Sequence, residues 1–229
     1  MRSFPKPEPN PTMRVRRLQP SIGLLLVLAL SLVLYPFADD NRSLRTLAQL
    51  LDIGVVLSVM RMLRVHALWL RGGWAISLPL VLLQLLHLAL PGWSGVQAPM
   101  LVFQVAFHAY AVVLLLRYVL HDEIVTVDEL YALACIYVLL ALLWASAYAI
   151  VIHYDATAIY INEANNPDGR IGWSDLVYYS MTTLTSTGYG EITPVAPPAR
   201  ALAMLQQVVG VLYVAILIAR LTGMARGRR

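Results

Sequence analysis

Charge is what this sequence has least of. Only 13% of its 229 residues are Asp, Glu, Lys or Arg, while 59% are hydrophobic, against about 25% and 45–50% in ordinary soluble domains. One soluble core cannot hide that much apolar surface, so the solvent for most of this chain is a bilayer. Cysteine is nearly absent. Cys135 stands alone inside an apolar run, which excludes an intrachain disulfide. Lysine is confined to Lys6, and the net charge of +4 comes from arginines near the ends of apolar runs. They build no basic face, so nucleic acid is not an expected partner, and they read instead as membrane anchors. Catalytic signatures are missing as well: there is no His-Glu-x-x-His and no Gly-x-Ser-x-Gly, and only Asp52 is an acid clearly inside an apolar run. We expect neither an enzyme nor a cofactor.

What the chain does have is apolar length. Runs at Ser21 to Phe37, Leu44 to Leu70, Trp74 to Leu90, Pro99 to Leu120, Leu130 to His153 and Ala199 to Thr222 predict six membrane spans, since a hydrocarbon core of about 30 Å needs roughly 20 apolar residues. The second is the least clean, interrupted by Asp52, Arg61, Arg64 and His66. The first is long for a secretory signal, and Tyr35-Pro36-Phe37-Ala38-Asp39 has no small-x-small cleavage site. Residues 1–19 are proline-rich and basic, with Pro5, Pro7, Pro11, Arg14, Arg16 and Arg17, and read as a cytoplasmic tail with too little apolar content to fold. Arg61, Arg64, Arg71, Arg117 and Arg220 fall on the same side as that tail if the N-terminus is inside. This bias predicts a multi-pass protein of the plasma (cell inner) membrane with both termini cytoplasmic. The expected domains are the tail, a four-helix membrane domain at 20–120, an acidic linker at 121–129, a module at 130–223 and a basic end at 224–229.

Between the last two runs lies Thr185-Ser186-Thr187-Gly188-Tyr189-Gly190-Glu191. Glycine adopts φ > 0 at little cost, so Gly188 and Gly190 allow successive carbonyls to turn to one side. A column of such oxygens can replace the water shell of a cation. Upstream, Trp173 to Leu184 predicts a short helix capped by Ser174 or Asp175, with the negative end of its dipole toward the loop. Downstream, Ile192-Thr193-Pro194 and Pro197-Pro198 lead into the last run, with Gly210 near its middle. The loop resembles the Thr-x-Gly-Tyr-Gly signature of potassium channels. Ser186 takes the first place, Thr187 the variable one, and Glu191 stands where that family usually has Asp. The resemblance extends over the flanking helices, from about Glu129 to Gly223.

The resemblance implies an all-α membrane protein with six transmembrane helices, a re-entrant pore helix and a selectivity filter between the fifth and sixth, assembled as a homotetramer. Carbonyls of Ser186, Thr187, Gly188 and Tyr189 would hold K+, with the Ser186 hydroxyl closing the innermost site and Gly190 at the mouth. Potassium is then cargo rather than cofactor. Tyr189 would turn its ring away from the ion path. Tyr178 and Tyr179 stand where relatives carry a tryptophan pair, suited either to a hydrogen bond with Glu191 or to an interfacial belt; Thr182 stands where some relatives carry Glu. Gly210 would be a gating hinge or a packing glycine against the fifth span. The four-helix domain resembles a voltage sensor without its charges: no arginine lies between Pro99 and Leu116, His108 is the only basic residue there, and steep voltage gating is not expected. His121, Asp122, Glu123, Asp128 and Glu129 could sense protons or a divalent cation, or form a solvated linker. The residues also leave open a poorly selective cation channel, and a non-conducting membrane scaffold or auxiliary subunit.

Overall fold

The computed structural model describes residues 20–38, 41–62, 67–90, 94–121, 126–166 and 169–226. The tail at 1–19 lies outside the described residues, as do Arg64, His66, Asp122 and Glu123. Among the described residues seven α-helices follow one another: α1 Pro20–Ala38, α2 Arg42–Met62, α3 Ala67–Ala89, α4 Gln97–His121, α5 Val127–Tyr154, α6 Trp173–Leu184 and α7 Pro197–Arg226. All but α6 are long and apolar enough to cross a membrane. The architecture is helical with one small exception. Strands β1 (Ile159–Ile161) and β2 (Ile192–Pro194) pair antiparallel, with Tyr160 opposite Thr193.

Several boundaries differ from the sequence reading, each for a local reason. Within the long second run, residues 44–62 lie in α2 and residues 67–70 already belong to α3. Helix α5 starts at Val127, where the Thr126 side chain accepts from Glu129 N at 3.3 Å as an N-cap. Asp128 and Glu129 therefore belong to a buried first turn of α5 rather than to a solvated linker. Proline 197 opens α7, a position where its missing N–H costs nothing, and the helix runs on to Arg226.

Half of the apolar stretch of α5 is buried, against 17% of that of α7. Helix α5 is accordingly the hub, packed by α1, α4, α6 and α7, while α7 is the edge. Lipid tails are as apolar as leucine, so close packing and polar contacts, more than hydrophobic transfer, hold such helices together. At one end of the bundle Ser21 donates to Asp128 through both N (3.1 Å) and Oγ (2.9 Å), and the Tyr118 hydroxyl donates to it at 2.8 Å. That buried carboxylate ties α1 and α4 to α5, its charge offset by three donors.

Candidate functional site

Helix α6 has 12 residues, about 18 Å of rise, too short to cross a bilayer. Its N-cap is Gly172, which takes extended backbone, and Gly172 N donates to Asp175 Oδ2 at 2.8 Å. Ser174 and Asp175 thus sit inside the first turn, and Asp175 reaches back to the cap instead of being it. The helix stops at Thr185. Its N–H and its Oγ1 both donate to Met181 O, at 3.0 and 2.8 Å, which satisfies a carbonyl the helix end would leave bare.

Beyond that stop the loop turns its amides back on the helix. Ser186 N donates to Thr183 O at 3.1 Å, and Thr187 N and Gly188 N both donate to Thr182 O, at 2.8 and 3.1 Å. In a trans peptide the C=O points opposite to the N–H it is bonded to. The carbonyls of Thr185, Ser186 and Thr187 therefore all face away from α6. Ser186, Gly188 and Gly190 have φ of 56°, 51° and 90°, while Thr187 and Tyr189 between them do not. The alternation of sign cancels the alternation of carbonyl direction that an ordinary strand would show. Positive φ at Ser186 is the feature the sequence reading did not anticipate, since only glycine takes it readily. All six residues from Thr185 to Gly190 are exposed on the chain.

Behind the loop, Tyr178 donates its hydroxyl to Glu191, and its ring lies parallel to that of Tyr189, with centroids 6.5 Å apart. Glu191 is held in turn by its own backbone, its carbonyl accepting from Asn162 N at 2.8 Å beside the β1–β2 pair. The hydrogen bond to Glu191, with desolvation second, pushes the Tyr178 phenol up from 10.0 to about 12. A raised value means a contribution that is complete below pH 10 and lost as pH climbs through 12. Thermal unfolding of the protein in lipid nanodiscs is expected to lose stability over that window, and Tyr178→Phe to lose less; identical alkaline slopes would show that the contact adds nothing.

Tyr179 behaves differently from its neighbour. It is buried against Tyr148, ring centroids 4.9 Å apart, and takes no part in holding Glu191. Thr182 serves the loop through its carbonyl, while its hydroxyl donates to Tyr179 O at 3.0 Å.

The sequence reading missed a buried network that locks α5, α6 and α7 together. Tyr148 donates to Gln206 Oε1 at 2.7 Å; Gln206 Nε2 donates to Ser180 O and Ser180 Oγ at 2.8 and 2.7 Å; Ser180 Oγ donates to Ala141 O at 2.6 Å. Tyr148, Ser180 and Gln206 are each fully buried. A glutamine with Ala203 three residues before it and Gly210 four after, on one helix face, was the available signal. Gln206→Leu would take from the Tyr148 hydroxyl its acceptor and from Ser180 its donor inside the bundle, at about 1–3 kcal/mol for a buried polar group that loses its partner. We expect a lowered midpoint of thermal unfolding for that variant, and a midpoint within a degree or so of wild type would argue against the network's weight.

Gly210 packs against the end of α6 rather than against α5. A Cβ built on it would overlap the Leu184 carbonyl oxygen and lie 3.0 Å from its carbon and 3.2 Å from Leu184 Cδ1. The same carbonyl accepts from the Tyr137 hydroxyl at 3.4 Å. Helix α7 runs without a break through Gly210. Toward the far end of α7, Tyr213 donates to Leu133 O at 2.6 Å, and Arg220 donates to the Val119 carbonyl of α4. Of the residues proposed for a sensor, Asp128 is already satisfied by three donors, Glu129 is buried, and His121 is the last residue of α4.

The site is thus a short helix and a carbonyl-lined loop held between two membrane-length helices of a multi-pass membrane protein. Residues 132–226, from the second turn of α5 through the end of α7, match the family model described as "Ion channel". Over that stretch the chain is similar to the two-helix channel domain of the potassium channel family. No curated protein matches the chain.

Proposed function

We propose that the chain is a potassium-selective channel, conducting K+ passively through a homotetrameric pore with Ser186 to Gly190 as its filter. One observation carries the reading: consecutive amides of the loop are spent on α6, so their carbonyls gather on the opposite, exposed side. A ring of such oxygens from several chains supplies what a dehydrated cation lacks. A one-filter chain closes that ring by self-assembly about a symmetry axis. The bare flank of α7 fits this, since Leu205, Val208, Leu212 and Ile216 are exposed on the isolated chain and would meet lipid or a neighbouring subunit. Asparagine 162 and Glu191 would brace the outer mouth, with both termini on the cytoplasmic side.

A poorly selective cation channel is the second reading, favoured by Ser186, which lacks the methyl group of the threonine common in this place. Liposomes carrying the purified protein separate the two. The proposal expects K+ uptake far above Na+ uptake, blocked by barium; equal rates favour the second reading, and no flux of either ion sinks both.

A further inference from the structure

Asp52, Gln84, Gln104 and His108 come from three different helices, α2, α3 and α4, and line one small cavity that Leu142 closes on the α5 side. The rest of its wall is apolar, and the space holds about one water-sized occupant. Asp52 and His108 lie near the middle of their helices. Gln84 is 7% exposed and His108 6%, and Gln84 Oε1 has no hydrogen-bond partner among the described residues. A bare buried acceptor beside a carboxylate at mid-membrane depth requires a donor or a positive charge.

We propose that this cavity is an intramembrane proton-binding site, in which Asp52 holds the proton and one water joins it to Gln84 and His108. Charge balance selects the proton over a metal ion. The lining carries one formal negative charge, so a divalent ion would leave net positive charge in an apolar bundle. A sodium ion would need more oxygens than one carboxylate and two amides provide, in a space with no room for extra water. The groups facing Asp52 are few. From α1, Tyr35 donates its hydroxyl to Asp52 Oδ1 at 2.5 Å; from α4 comes His108; α3 offers the uncharged Gln84 and α5 only Leu142, with Ser146 behind His108. Among the described residues no Arg or Lys lines the cavity. With Asp52 protonated and His108 neutral the site carries no charge, and gaining or losing one proton charges it, which burial opposes.

Two contacts lead from the site to the channel module. Ser146 Oγ lies 3.4 Å from His108 Nδ1 and donates to Leu142 O on α5 at 2.8 Å. The Tyr35 ring meets Trp173, the first residue of α6, edge-on at 6.0 Å. The state of Asp52 therefore bears on both α5 and α6. This link to conduction rests on the channel reading; the proton site itself does not.

Infrared spectra of the full-length protein in lipid test the site without any flux. Wild type at neutral pH is expected to show a carboxylic-acid carbonyl band that Asp52→Asn removes and that Gln84→Leu moves, because Gln84 shares the water. Superimposable spectra of wild type and both variants between about pH 5 and pH 9 overturn the site, and Gln84→Leu decides alone if Asp52→Asn does not fold. In liposomes, K+ flux of wild type is expected to change about tenfold over that range, and that of Asp52→Asn to stay flat. An unchanged pH profile in Asp52→Asn severs the site from the pore. A protein with the acid band and no K+ flux overturns the channel reading and leaves the site standing.

Discussion

Gly210→Ala is expected to destabilise the protein and to lower K+ flux tenfold or more, although alanine is the better helix former by about 1 kcal/mol. The sign is reversed by space. The new methyl group would overlap the Leu184 carbonyl oxygen, a backbone atom at the end of α6 that cannot rotate aside as a side chain can. Overpacking of this kind costs about 1–3 kcal/mol, and about 1.4 kcal/mol already shifts a conformational balance tenfold. Leu184 immediately precedes Thr185, so any shift of α6 reaches the carbonyls of the loop directly. Thermal unfolding and liposome flux measured on the same preparation decide the matter. Wild-type stability with altered gating would return Gly210 to the role of a hinge, and wild-type values of both would refute the packing account.

Gly188→Ala is expected to abolish K+ flux while leaving the fold intact, for the opposite reason. Nothing in the chain lies within 4 Å of a Cβ at Gly188, but φ there is 51°, a region that costs an L-residue about 1–2 kcal/mol. In the proposed tetramer the strain is repeated four times around one axis, about 4–8 kcal/mol in all, or a loss of roughly a thousandfold or more in the conducting arrangement. The loop is exposed on the chain and can shed this strain by leaving the conducting arrangement while the helices stay packed, so unfolding midpoint and oligomeric size should stay near those of wild type. Retained, K+-selective flux in this variant would remove Ser186 to Gly190 from the ion path. The two glycines thus separate backbone conformation from space: one needs its φ, the other its missing methyl.

The six membrane-length apolar helices were legible because a run of some 20 apolar residues has one physical use in a chain with so little charge. The loop was legible because Gly-Tyr-Gly between two such runs restricts the backbone in a recognisable way, and Gly188 and Gly190 do take positive φ. Ser186 was not legible in the same way, because its positive φ is imposed by the amides around it bonding back to Thr182 and Thr183. Asp128 and Glu129 were misplaced, since an acidic stretch reads as solvated until Ser21 and Tyr118 are seen to arrive from α1 and α4. Asp52 stood out as a lone acid within an apolar run, but its neighbours Gln84 and His108 are 32 and 56 residues away in sequence.

By itself the sequence determined the solvent, the number of spans and the place where carbonyls line up, because each depends on composition or on local backbone freedom. Tertiary structure alone decided which helix is the hub, what Gly210 touches and which polar groups meet inside the bundle. Helices that are apolar on every side carry no periodic mark of their neighbours, so partners distant in the chain become visible only when the helices are packed.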